Sequence, residues 1–236
     1  MKIKKPMIVG YKGEIGSFIL GGLLKVMPKA LDIWCVDINE TEEEVKNRIG
    51  VADVIFLCVP MKETVNWVCK YRDILKDKIV IEQASLKEWI YNDERVNGID
   101  LRAMHILFKP SQTPNKEDRK VGLFRKQFDD TWGKDIVELL SCSEVVWYAN
   151  EIEHDKEMAI QQALVHRNLI VMGNMLDKCN GSTFIVKRVK ELRDRILSGN
   201  KDMYGSIQKN TYLSENLKEF VKRMECFDIE YYWEVI

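Results

Sequence analysis

Short apolar runs alternate with amphipathic stretches over the first 150 residues. Met7 to Gly10, Ile33 to Asp37, Asp53 to Val59, Lys78 to Glu82, Met104 to Phe108 and Ser143 to Ala149 each read as a strand. The run Val54-Ile55-Phe56-Leu57-Cys58-Val59 is apolar throughout, as expected of a strand covered on both faces of a parallel sheet, and Pro60 ends it. Helical spacing recurs between the runs. Ile15 to Met27 places Phe18, Leu20, Leu23, Leu24 and Met27 at helical intervals, and further helices are predicted over Lys62 to Leu75 and Asp129 to Leu140. Thr41 followed by Glu42, Glu43 and Glu44 is a helix start, with a capping hydroxyl and acidic groups at the positive end of the helix dipole. Lys109 to Lys120 reads as a polar loop. The alternation predicts an α/β domain over residues 1–150 with a Rossmann-type, doubly wound, mostly parallel sheet.

The texture changes near Asn150. Helical patterns run from Asp155 to Lys178, Thr183 to Ser198 and Lys201 to Cys226, punctuated by Gly181 and by Ser198-Gly199-Asn200. The one further strand pattern is Tyr231 to Val235. Residues 151–236 are therefore expected to form an all-helical domain. Few charges interrupt Met158 to Met175, which predicts a helix buried on most sides and packed against a second subunit.

Pro6 to Asp37 carries the first chemical signal: a strand, a glycine turn, a helix and a second strand that ends in a carboxylate. Glycine in such a turn lets backbone approach a pyrophosphate, and the helix start offers free N–H groups to the same anion. Gly10, Tyr11, Lys12, Gly13, Glu14, Ile15 and Gly16 form this turn, with Gly10-x-x-Gly13-x-x-Gly16 in place of the usual G-x-G-x-x-G. Asp37, 21 residues beyond Gly16, stands where a ribose hydroxyl needs an acceptor and where a 2′-phosphate would be repelled, so NAD is the cofactor expected. An ordinary glycine turn is the plainer reading of the same residues, and Tyr11 and Lys12 either touch phosphates or shape the turn.

Composition narrows the partners. With 36 basic and 37 acidic residues the formal charge is −1, against a nucleic-acid-binding role. No apolar stretch reaches the roughly 18 residues of a membrane span. The basic start, Met1 to Pro6, lacks the apolar segment of a secretory signal. Six cysteines without a C-x-x-C pair read as reduced and structural, which suggests a cytoplasmic protein with no metal centre. The three histidines are His105, in a strand run, His154, between Glu153 and Asp155, and His166, within the weakly charged helix. Histidine is the side chain best placed to accept a hydroxyl proton near neutral pH.

Taken together these stretches resemble the prephenate dehydrogenases. Ile8 through Gly16 is similar to that family's cofactor turn, and Ala52 through Val59-Pro60 to its third strand. Ala84-Ser85-Leu86-Lys87 is similar to its Ser-x-Lys segment. His105 through Phe108 and Pro110 is similar to its His-Pro-Met-Phe-Gly-Pro motif, with Ile106 and Lys109 departing from it. Glu153-His154-Asp155 through His166 resembles the entry to its helical domain, and Asp194-Arg195-Ile196-Leu197 with Met203-Tyr204 its arginine-bearing helix. The resemblance implies NAD-dependent oxidative decarboxylation of prephenate, a step of tyrosine biosynthesis, with a cyclohexadiene carboxylate as substrate and a homodimer formed through the helical domain.

It also implies roles: His105 as the proton acceptor, Ser85 on the same hydroxyl, Arg195 on a substrate carboxylate, Lys87, His166 and Lys187 near the substrate, and Val59-Pro60 at the cofactor. Structural readings stand beside these: a hydrogen-bonded core histidine for His105, a satisfied histidine between helices for His166, a capping or supporting residue for His154, a surface position for Lys87 and a solvated basic face for Arg195. The departures leave arogenate or the 4-amino analogue of prephenate as alternative substrates. A small-hydroxyacid or imine dehydrogenase, or an NAD(H)-binding regulator without catalysis, are the remaining readings.

Overall fold

A computed structural model describes residues 3–27, 33–199 and 201–225. Asn200, Cys226 and the Tyr231–Val235 strand pattern lie outside the described residues. The chain divides into two compact units, Met1–His154 and Asp155–Ile236.

In the first unit, strand β1 (Pro6–Val9), helix α1 (Glu14–Val26), β2 (Trp34–Val36), α2 (Glu42–Val51), β3 (Val54–Leu57), α3 (Thr64–Tyr71), β4 (Ile79–Glu82), α4 (Glu88–Tyr91), β5 (Asp100–Ile106), β6 (Lys120–Phe124), α5 (Asp130–Leu140) and β7 (Glu144–Tyr148) follow one another. The seven strands form one sheet in the order β2-β1-β3-β4-β5-β6-β7. It is parallel from β2 through β5; β6 runs antiparallel to β5, and β7 parallel to β6. This is the doubly wound α/β architecture expected.

Each face buries its own core. Ile19 and Leu23 of α1 and Trp132, Ile136 and Leu139 of α5 cover Ile8, Phe56, Ile81 and Met104 on one side. Val45 and Ile49 of α2 and Val65 and Val68 of α3 cover Met7, Ile55 and Val80 on the other. Alternate strand residues serve the two layers, which is why the strands read as unbroken apolar runs. Thr41 caps α2 as expected: its hydroxyl accepts from the Glu44 amide, and the Glu44 carboxylate accepts from the Thr41 amide at 2.8 Å.

Two expectations are corrected here. The predicted Lys62–Leu75 helix is α3 flanked by single 3-10 turns, Met61–Glu63 and Arg72–Ile74. The polar loop ends in a strand, β6, whose short apolar run is broken by Gly122. A Cβ there would lie 2.8 Å from the Tyr148 ring, so glycine marks the point where an aromatic side chain crosses the strand.

The chain continues through α6 (Glu151–Met158), a π-helical turn (Ala159–Leu164) and α7 (Val165–Leu176), in which the unit boundary falls within α6. In the second unit α8 (Phe184–Ser198) packs on α7; α9 (Lys201–Ile207) and α10 (Leu213–Glu225) follow. The helix predicted over Lys201–Cys226 is thus two helices, broken around Asn210, whose side-chain amide donates to the Asp155 carbonyl at 2.7 Å. Ala163, Ile207 and Leu213 form the small core. Within the single chain the weakly charged helix leaves apolar side chains open: Val171 is 52% and Met175 65% exposed, with Ile160, Val165 and Met172 also exposed.

Replacing Thr41 by Ala removes one half of a reciprocal cap and is expected to destabilise the fold by about 1 kcal/mol. Urea unfolding followed by circular dichroism should show a lower midpoint with an unchanged slope.

Candidate active site

The sheet order reverses at β1, between β2 and β3, and the carboxyl ends of β1, β3, β4 and β5 share one edge. Ligands of open α/β sheets bind at that edge beside the reversal. Gly10 to Gly16 lie there. Gly10 has φ +81°, and a Cβ on it would run into the Cys58 carbonyl; a Cβ on Gly16 would run into the Gly10 carbonyl. Both positions therefore exclude any side chain. Gly13 is exposed and is the N-cap of α1 without a side-chain cap. That leaves the first amides of α1 to an outside acceptor, as a pyrophosphate site requires.

The other residues of the turn have distinct places. Tyr11 and Ile15 are half-buried, and Lys12 is exposed, with its ammonium 5.5 Å from the Tyr11 ring centre. The Lys12 amide donates to Asp37 Oδ2 at 3.0 Å and the Ile38 amide to Asp37 Oδ1 at 2.9 Å. These bonds, that from Ile38 foremost, lower the carboxyl pKa and keep the group ionised at the end of β2. The Glu14 carboxylate accepts from the amide and hydroxyl of Ser111, at 3.0 and 2.6 Å, so it holds the loop after β5 against the start of α1. Val59 is half-buried and Pro60 exposed beyond β3. The side-chain-free cradle, the uncapped helix start and the anchored carboxylate fit NAD.

The next two strands bring up the polar chemistry. Lys87 is fully buried, so the surface reading is overturned. Its ammonium donates to Glu82 Oε1 at 2.6 Å and to the Met104 carbonyl at 2.9 Å, while Glu82 Oε2 accepts from the Ala84 amide at 2.7 Å. Ser85 is half-buried in the same turn, next to Gln83, whose side-chain N and O are both buried without a partner. His105, 4% exposed, lies near the end of β5, and its Nδ1 is 2.9 Å from Nε2 of a fully buried His154. Burial, with the neighbouring His154 and the Lys87 charge, pushes the His105 pKa well below its usual value. Burial and then Lys87 push that of His154 down to about 2. Both rings are neutral at physiological pH.

The helical unit holds the remaining candidates. His166 is half-buried on α7, edge-on to Tyr204 at 5.1 Å between centres; its Nδ1 has no partner, and burial lowers its pKa. Lys187 and Arg195 are exposed on α8. The buried guanidinium of that helix is Arg193, which lies across Gly173 and pairs with Asp177 and Asp194.

Residues 10–16, Asp37, Ser85, Lys87 and His105 are thus gathered within one unit, while His166, Lys187 and Arg195 belong to the other. Sequence reasoning gave His154 only a supporting role, and it noted Glu82-Gln83 as a departure from the family pattern without giving either residue a role. The usable signal for His154 was its place in an acidic helix start, Glu153-His154-Asp155, the kind of position that normally faces water.

The two buried neutral imidazoles make stability pH-dependent. Their folded pKa values lie below the unfolded value of about 6.5. The unfolded state therefore binds more protons below that pH, so stability is complete above it and is lost as pH falls. Unfolding should take up about one proton at pH 6.5, rising to nearly two at about pH 5, read from the pH dependence of the unfolding free energy; a His105→Phe, His154→Phe double variant should flatten that slope.

No protein-family model matches the chain, and no curated protein matches it by sequence. Solved structures do. The chain is similar to prephenate dehydrogenase from A. aeolicus, solved in complex with hydroxyphenyl propionate and NAD+, with TM-score 0.74 and 17% identity over 95% of this chain and 89% of that one. It is similar to Synechocystis arogenate dehydrogenase with TM-score 0.62 and 17% identity, covering 94% and 89%. It is also similar to a pyrroline-5-carboxylate reductase from Coxiella burnetii with TM-score 0.52 and 15% identity, covering 93% and 85%. Two of the three carry names from the group that the motifs suggested, and at these identities the likeness shows a shared fold.

Proposed function

We propose that this chain is an NAD-dependent dehydrogenase that oxidatively decarboxylates prephenate to 4-hydroxyphenylpyruvate, with His105 as the proton acceptor. The observation that carries the reading is the neutral, buried His105 at the carboxyl edge of the sheet, with one ring nitrogen engaged by His154 and Nε2 left for a substrate hydroxyl. It stands on the edge that also holds the glycine cradle and Ser85.

The cofactor, when bound, supplies the two-electron acceptor. Gly10 and Gly16 would admit its pyrophosphate to the backbone, the first amides of α1 would meet the negative charge, and Asp37 would accept from the ribose hydroxyls. Ser85 orients the substrate hydroxyl. His105 Nε2 accepts its proton as the ring carbon gives up hydride, and carbon dioxide leaves as the ring becomes aromatic. On the resemblance of their motifs Arg195 is assigned to a substrate carboxylate, and His166 and Lys187 to places near the substrate. Lys87 supports the site from beneath, since its ammonium is already committed to Glu82 and Met104. Arogenate and the 4-amino analogue require the same hydride chemistry, so they are the nearest competing substrates. The exposed apolar strip of α7 supports a homodimer formed through the helical unit.

NADH formation with prephenate, arogenate and the amino analogue tests the proposal. His105→Asn should lower kcat by about 10²- to 10⁴-fold with NAD+ affinity retained. Turnover of none of the three by the wild type, or full activity in the variant, would refute it. Asp37 should give NAD an advantage of about tenfold or more over NADP in kcat/KM; replacing Asp37 with Ser should narrow that ratio. Sedimentation should give a dimer mass that falls to a monomer in Val171→Glu, Met175→Glu.

A further inference from the structure

We propose that His154 is a positioning residue that sets the tautomer of His105, in the way a carboxylate orients the base of a catalytic triad. The inference rests on the reading of His105 as the proton acceptor and adds a residue to it.

The 2.9 Å contact between His105 Nδ1 and His154 Nε2 holds one proton when both rings are neutral. Two arrangements satisfy it. If His154 donates, His105 carries its own proton on Nε2 and cannot accept one there. If His105 Nδ1–H donates, Nε2 keeps its lone pair for the substrate. Only the second arrangement makes His105 a base, and it requires His154 to carry its proton on Nδ1 and present a bare Nε2.

The surroundings hold His154 in place. It is fully buried in the first turns of α6, with ring centres 4.9 Å from Tyr148, 5.6 Å from Phe124 and 5.1 Å from His105. Gly122, opposite His105 in the β5–β6 register, makes the room: a Cβ there would meet both the Tyr148 ring and the His105 Cβ. Asn150 accepts from the Glu153 amide at 2.9 Å through its side chain and from the His154 amide at 3.3 Å through its carbonyl, which fixes the helix start that carries the ring. Lys87, paired with Glu82, is the charge that acts on both rings, and it disfavours a proton on either. The contact therefore persists as a neutral pair, and the tautomer of His154 decides that of His105.

Selective ¹⁵N labelling of histidine tests this, because the chain has three histidines and His166→Asn removes one signal set. In the wild type, His105 Nδ1 should give a protonated, pyrrole-type signal and Nε2 a bare, pyridine-type one, and His154 should show Nδ1 protonated. His154→Met fills the space without an acceptor. It should move His105 toward the Nε2–H form and lower kcat about 10- to 100-fold, with NAD+ affinity within about twofold. His154→Gln puts an amide oxygen where Nε2 lies and should recover most of the loss. A wild-type His105 protonated on Nε2, or equal losses in the Met and Gln variants, would overturn the proposal. The spectrum needs no turnover: the stated tautomer with no oxidation of any cyclohexadiene acid would leave the His154 assignment standing and remove the proposed reaction.

Discussion

The ion pair of Lys87 with Glu82 is the contact on which the geometry of the site depends. An ammonium with no access to water carries a large desolvation cost, which is offset here by a carboxylate at 2.6 Å and a backbone carbonyl at 2.9 Å. The other carboxylate oxygen binds the Ala84 amide. Three pieces of backbone meet at this point: the last residue of β4, the turn that carries Ser85, and Met104 of β5. The residue after Met104 is His105. Loss of either partner alone would leave a buried charge uncompensated, at a cost of about 3–5 kcal/mol. The same charge lies close enough to both imidazoles to disfavour their protonation, so one pair governs shape and electrostatics together.

A second constraint acts two strands away, where the turn after β1 has no room for side chains at Gly10 or Gly16. Strand, turn and helix are drawn so close that the backbone itself is the binding surface, and Asp37 is pinned by two amides at the end of the neighbouring strand. Glu14 then fastens the loop after β5 to the start of α1 through Ser111, and Phe108 of that loop packs edge-on against Phe18 at 5.5 Å. The loop that follows His105 is thereby tied to the cofactor turn. The cradle and the imidazole are coupled through a few polar contacts and one aromatic pair, which accounts for a site whose motifs depart at Ile106 and Lys109 while its scaffold holds.

Much of this was legible in the chain because burial on both faces writes itself as continuous apolar runs. The strands from β1 to β5, the cap at Thr41 and the glycine turn all carry local signals. Strand β6 did not, since its pattern is short and holds a glycine whose purpose lies in the ring of Tyr148, 26 residues on. For Lys87 a surface reading stood beside the substrate one, because the Met104 carbonyl that its ammonium binds lies 17 residues on, in the neighbouring strand. His154 read as a capping or supporting residue between two acidic neighbours; Glu153 is exposed, but Asp155 is buried along with the imidazole. On α8 the resemblance pointed to Arg195, whereas Arg193 is the guanidinium drawn inward, across Gly173. In each case the missing information was a long-range partner, which periodicity cannot supply.

A crystal structure with NAD+ and a phenolic product analogue tests the central claim most directly. The account places the pyrophosphate on the first amides of α1, the ribose hydroxyls on Asp37, and the phenolic oxygen within hydrogen-bonding distance of His105 Nε2 and of Ser85. An imidazole turned to the protein interior with no path to the ligand, or a cofactor bound away from Gly10–Gly16, would contradict it.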